Sequence, residues 1–187
     1  MGLVPGVVGV VLLVVALAGC GASDPTRASG PFAWLKPASP PSGWRVVRTA
    51  GGAAFAYPPG WTPIKTDPGT ASVALLGGGE RIEGYLNATP RQGGETLADW
   101  SRFRPRHNRA EGDRGVRLVG ATAEGRFRSG RGACVIDTYS TSKTTYREIA
   151  CLVSGPSSSA VVIAAAPRSE FERQAAALER AVSSFAG

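Results

Sequence analysis

Folded about a two-residue turn at Ser142-Lys143, the segment Ala133–Leu152 sets like against like: Cys134 faces Cys151, Ile136 faces Ile149 and Tyr139 faces Tyr146. A random register would rarely give three such matches, because a one-residue slip moves every side chain to the other face of the sheet. The pairing predicts an antiparallel hairpin closed by a Cys134–Cys151 disulfide. Directly opposed Cα atoms at a non-hydrogen-bonded pair lie ~4.5 Å apart, at the short end of disulfide geometry. A turn displaced by one or two residues is the alternative.

A disulfide needs an oxidising compartment, and the N-terminus supplies the route to one. From Gly2 to Gly19 the chain is uncharged and rich in Val, Leu, Ala and Gly. The apolar run Val7–Leu17 has the length of a signal h-region and falls short of the ~20 residues a spanning helix needs. It ends in Leu17-Ala18-Gly19-Cys20, a lipobox. Residues 1–19 are therefore expected to be a lipoprotein signal peptide, and Cys20 the mature N-terminus carrying fatty acyl chains such as palmitate. Each buried CH₂ adds ~0.8 kcal/mol, so two or three chains anchor a protein without spanning the bilayer. The expected location is the extracytoplasmic face of the cell membrane.

Residues 20–43, the lipidated Cys and a Gly-, Ala-, Ser- and Pro-rich stretch, read as a flexible tether. Its span as a coil would be roughly 25–30 Å. Phe32, Trp34 and Leu35 interrupt it as apolar islands, suited to docking on the domain or dipping into the lipid interface.

The folded domain is expected over 44–187. Strands are predicted at Trp44–Thr49, Ala54–Tyr57, Ser72–Leu76 and Ile82–Thr89, with Gly77-Gly78-Gly79 as a plain hairpin turn. Further strands follow at Val116–Phe127, Ala133–Tyr139, Tyr146–Val153 and Ala160–Ala165. Thr96 and Asp99 cap a short helix through Leu97, Trp100 and Phe103, which Pro105 ends or kinks. A last helix begins after Pro167 with a Ser169/Glu172 capping box. Its apolar stripe is Phe171, Ala175, Leu178, Val182 and Phe185.

The order of these elements, the turn Tyr57-Pro-Pro-Gly-Trp61, the strand Val161–Ala165 and a helix ending Val182-Ser-Ser-Phe185 resemble the PsbP-like fold, and in particular the LpqN-type lipoproteins of actinobacteria. The resemblance covers roughly residues 44–186. It implies an α+β domain, an α/β/α sandwich with a central antiparallel sheet. It also implies a non-enzymatic accessory or binding role, and it brings no catalytic residue to carry over. The Arg-rich stretch after the first helix has no counterpart in it.

The residues themselves offer little for catalysis. There is no Gly-x-Ser-x-Gly elbow, and one histidine, His107, would have to serve any Ser or Cys mechanism. With Cys20 lipidated, two thiols and the lone distant His107 fall short of the four ligands of a zinc site, so no metal is expected, and no cofactor is expected either. His107 reads as an exposed loop residue. Asp137 and Glu148 oppose one another in the hairpin register, at a spacing a retaining glycosidase could use. The plainer reading is a solvated strand pair relieved by a nearby Arg. A glycan hydrolase using Asp137 and Glu148 is one alternative function; a carrier holding an apolar small molecule between sheet and helix is another.

The chain carries a formal +7 charge, and 18 of its 21 basic residues are Arg. Export argues against nucleic acid as the partner and leaves anionic headgroups, phosphate- or uronate-bearing envelope polymers, or an envelope protein. Arg102–Arg117 concentrates the charge: Arg102, Arg104, Arg106, Arg109, Arg114 and Arg117 stand against Glu111 and Asp113, with Trp100 and Phe103 at its edge. Guanidinium forks suit phosphate and carboxylate, and an aromatic can stack on a sugar or headgroup. Arg102, Arg104, Arg106, Arg109 and Trp100 are therefore the candidate binding residues, against the reading of a solvated loop whose Arg content is genomic bias.

Overall fold

The computed structural model describes residues 1–2, 30–156 and 158–187. The expected signal peptide, the lipidated Cys20 and the first part of the tether lie outside the described residues, apart from Met1 and Gly2.

Nine strands and two helices make up the domain: β1 (Arg45–Arg48), β2 (Ala54–Tyr57), β3 (Thr62–Ile64), β4 (Ala71–Leu76), β5 (Ile82–Pro90), α1 (Trp100–Ala110), β6 (Arg114–Phe127), β7 (Gly130–Ser140), β8 (Thr145–Ser154), β9 (Ser159–Pro167) and α2 (Phe171–Ser183). Seven strands form an antiparallel sheet in the order β3-β4-β5-β9-β8-β7-β6, and β1 and β2 pair apart from it.

The hairpin register read from the sequence is the register of the fold. Cys134 pairs with Cys151, Ile136 with Ile149, Asp137 with Glu148 and Tyr139 with Tyr146. The disulfide is present, with its Cα atoms 4.1 Å apart. Strand alternation then sends Cys134, Ile136, Ile149 and Cys151 to one face and Ala133, Val135, Ala150 and Leu152 to the other.

On the first face α2 buries Phe171, Leu178 and Val182, with Phe185 just beyond it, against Val73, Leu86, Ile149 and Val162. Each such side chain contributes ~1.5–3 kcal/mol on leaving water. This is the stripe expected from the 3.6-residue period. The Ser169/Glu172 capping box does not form: the helix starts at Phe171 with Glu170 at its N-cap and no side-chain cap bond. β3, whose Pro63 and three-residue length hide the strand pattern, had no sequence signal, and Gly78–Glu80 is a short 3-10 turn where a plain hairpin turn was expected.

Phe32, Trp34 and Leu35 pack on the core beneath α2, and the Ala38 amide donates to the Ser183 carbonyl at 2.9 Å. Part of the stretch expected to be tether, from Phe32 to Ala38, thus packs on the domain, because three large apolar side chains outweigh the Gly/Pro character of the stretch around them.

Candidate functional site: a sealed ionic cluster and a basic edge

Helix α1 lies on the second face of the sheet, over β6 and β7, and runs through Pro105. A proline five residues into a helix loses one backbone bond and costs ~3 kcal/mol. Contacts on both sides of Pro105 offset this. Trp100 is 1% exposed, and its indole N–H donates to the Ala150 carbonyl at 2.9 Å. Trp100, Phe103 and His107 stack in a column along the helix, with ring centroids 5.8 and 5.7 Å apart.

Beside that column, Arg104 reaches down to β8. Its Nε and Nη2 donate to the two carboxylate oxygens of Glu148 at 2.7 and 2.9 Å. The Tyr139 hydroxyl donates to the Glu148 Oε2 at 3.1 Å. One turn further on, the Asn108 amide donates to Asp137 Oδ2 at 3.3 Å, while Asp137 Oδ1 is buried with no hydrogen-bond partner. Asp137 and Glu148 are 0% and 1% exposed.

The electrostatics follow from this burial. Loss of water, followed by the charge of Glu148, pushes Asp137 up to about 7. Burial alone would lower the Arg104 guanidinium, but the Glu148 charge reverses that and holds it above its ordinary value. Burial and Glu148 together raise Tyr139 as well.

Several expectations change here. Asp137 and Glu148 are not on a solvated face; an arginine does relieve them, from inside the core. Arg104 and Asn108 fill the space above the pair, leaving no cleft for a glycan. Trp100 has no free face for a ligand, and the Nε–Nη2 fork of Arg104 is taken by Glu148. Arg109 is spent on the carbonyls of Pro105 and Val116, at 3.2 and 3.1 Å. Arg102 pairs with Asp99 at the surface. His107 is a half-buried helix residue, not an exposed loop residue. The five candidate binding residues therefore do not converge. The signal for the cluster was available: Trp100, Phe103, Arg104, His107 and Asn108 follow helical spacing, and Pro105 masked it.

Of the candidates only Arg106 keeps an exposed side chain with neither a carboxylate nor a carbonyl partner among the described residues; its guanidinium carbon lies 5.8 Å from the Phe103 ring centroid. Arg114 and Arg117 on β6 share that condition and lie at the rim of the sheet.

One surface depression of about 550 Å³ has a mixed lining, Ile82 and Pro167 beside Arg81, Lys143, Tyr146 and Glu170. The space between α2 and the sheet, where an apolar guest would sit, is filled by the core side chains already named. On the part of that sheet face beyond α1, Asn87, Ser72, Tyr85 and Thr66 join in a hydrogen-bonded row at 2.8–3.2 Å, with Ser72 and Asn87 buried, which sequence patterning does not reveal. Among the described residues no group of three His, Cys, Asp or Glu side chains is placed to hold a metal, and no helix is long and apolar enough to cross a membrane.

This architecture is the PsbP-like α+β fold. The chain is similar to cyanobacterial PsbP (CyanoP) from Synechocystis, with 16% identity and a TM-score of 0.57 over 78% of this chain and 92% of that one. It is also similar to PA94 from Pseudomonas aeruginosa, a protein of unknown function, with 11% identity and a TM-score of 0.52 over 77% and 96%. A looser superposition reaches LpqN of Mycobacterium tuberculosis, described as involved in cell envelope biogenesis, with 15% identity and a TM-score of 0.37 over 79% of each chain. No protein-family model and no curated protein matches the sequence.

Proposed function

We propose that this chain is a lipid-anchored cell-envelope protein with a non-catalytic binding or accessory role, held at the extracytoplasmic face of the membrane by acylated Cys20 and presenting its exposed arginines to an anionic envelope component. The observation that carries the non-catalytic part is the sealing of the acidic pair. Arg104 takes both oxygens of Glu148 beneath α1, so the carboxylates that could have performed glycan chemistry serve the fold. The PsbP-like scaffold supports the same reading, as an expectation from fold alone.

Charge supports the binding part. Arg106, Arg114 and Arg117 are exposed and unpaired with carboxylates among the described residues. Binding of the full chain to phosphate- or uronate-bearing polymers and to anionic vesicles should weaken as salt rises, because exposed contacts are screened over ~8 Å at physiological ionic strength. Replacing Arg106, Arg114 and Arg117 by Gln should remove most of that binding while leaving the melting temperature within a degree or two, since surface charges contribute little to stability. Binding untouched by the triple change, or matched by an unrelated protein of equal charge, would contradict the proposal.

A further inference from the structure

Strand β6 is one rim of the seven-stranded sheet. It is an unusual rim. Its pairing with β7 slips three times, between Arg114 and Arg117, Leu118 and Gly120, and Thr122 and Gly125. Bulges of this kind twist an edge and spoil it as a template for another strand. The same rim exposes two neighbouring aliphatic residues, Leu118 at 47% and Val119 at 52%. Arg114 and Arg117 precede them and Arg126 follows, against a single acidic residue, Glu124. None of these three arginines has a carboxylate partner among the described residues.

The N-terminal segment comes in along this strand. A Cβ at Gly120 would lie 2.7 Å from Pro31 Cγ, and one at Gly125 3.2 Å from Leu35 Cδ2, so glycine at both positions lets the segment lie flat on β6. Ten residue steps separate Cys20 from Gly30. Fully extended they reach about 35 Å, and as a flexible coil roughly 16–19 Å. An anchor at Cys20 would thus hold the Leu118–Val119 rim nearer the bilayer than the far rim at β3, which lies across six inter-strand spacings of ~4.8 Å each.

We infer that the β6 edge, with Leu118 and Val119 at its centre and Arg114 and Arg117 beside them, rests on the headgroup region of an anionic phospholipid bilayer. This rests on the anchored reading above and adds an orientation to it: the domain does not hang free but lies with one sheet edge down. The bulged strand disfavours a protein strand as occupant, and the basic flank selects anionic over zwitterionic headgroups, by about fivefold per arginine near the surface.

The test uses the full chain as its own cells process it, extracted from their membranes and mixed with vesicles of roughly one-third phosphatidylglycerol. Leu118→Cys and Val119→Cys carry a polarity-sensitive dye, and Leu76→Cys on β4, another exposed aliphatic, is the control. Flotation with the vesicles is scored first. The expected result is blue-shifted emission, quenched from the headgroups, at 118 and 119 but not at 76, and loss of both effects with Arg114 and Arg117 changed to Gln or with phosphatidylcholine alone. A chain that floats while the dyes at 118 and 119 remain as aqueous as the dye at 76 overturns the docking edge and leaves the anchor standing. Dyes at 118 and 119 already shielded without vesicles would place a second copy of the chain on the edge and overturn it too. A chain that does not float overturns the anchored reading, and the orientation with it.

Discussion

Arg104 of α1 and Glu148 of β8 meet as a two-pronged ion pair inside the domain, with nitrogen–oxygen distances of 2.7 and 2.9 Å. The Arg104 side chain is 12% exposed and that of Glu148 1%. Such a pair is weak evidence for stability in itself, because desolvation consumes much of the attraction. Breaking it is another matter. Arg104→Met leaves Glu148 buried without its counter-charge and should cost about 3–5 kcal/mol. At roughly 2–4 °C per kcal/mol for a chain of this size, the melting temperature should fall by about 6–20 °C. Changing Glu148 to Leu in the same protein should recover much of the loss. A double variant as unstable as Arg104→Met alone would show that the pair is not what holds α1 down.

Asp137 gives the cluster a pH signature. The folded carboxyl is pushed from its ordinary 3.8 up to about 7 by burial and then by Glu148. Between those values the folded state holds a proton that the unfolded state has released, so this group's contribution to stability is lost as pH rises from 4 to 7. The slope is at most about 1.4 kcal/mol per unit. Asp137→Asn removes the titration. Its melting temperature relative to the parent should therefore climb between pH 5 and pH 8, when both are followed by circular dichroism. A difference that stays constant over that range would contradict the assignment.

The hairpin was legible in the sequence to the residue. Three matched pairs in one register determine which residues stand opposite one another, so the Cys134–Cys151 bond and the Ile136–Ile149 pairing followed directly, but not which faces are buried: Asp137 and Glu148 were read as solvated and lie in the interior. The stripe of α2 was legible for the corresponding helical reason. The α1 region was not. Pro105 argued for a break, and six arginines in sixteen residues argued for a solvated loop. Tertiary contacts overrode both, because Glu148 and Asp137 supply partners from strands more than twenty residues away in sequence. Local pattern carries no information about such partners. Phe32, Trp34 and Leu35 were seen as apolar and take the docking alternative, on a surface that is built from residues distant in sequence and that local pattern does not show.

The disulfide makes its own prediction. With Cys134 and Cys151 joined across 17 residues, the purified domain should show no reactive thiol until reduced. Loop closure of this size stabilises by ~3 kcal/mol on the chain-entropy estimate, so reduction should lower the melting temperature by about 6–12 °C. Two thiols reacting in the native oxidised protein would refute the bond.

Gly84 marks a close approach in the core. A methyl group there would lie 2.4 Å from the Trp61 ring, and Trp61 is itself 5% exposed and packed into the α2-side core. Gly84→Ala should destabilise by about 1–3 kcal/mol through overpacking. Trp61→Phe in the same chain should relieve part of that cost, measured by denaturant unfolding. Equal costs with Trp or Phe at position 61 would mean that the strand, and not the ring, responds to the added methyl.

Membrane orientation and envelope role both depend on the chemistry of one residue, Cys20. Intact-mass and N-terminal fragment analysis of the protein extracted from native membranes reads it directly. The expected result is a mature chain that begins at Cys20 and carries a mass increment of at least two fatty acyl chains on that residue, with Cys20→Ala accumulating as unprocessed, unacylated precursor. A mature chain that begins elsewhere, or an unmodified Cys20, would contradict it.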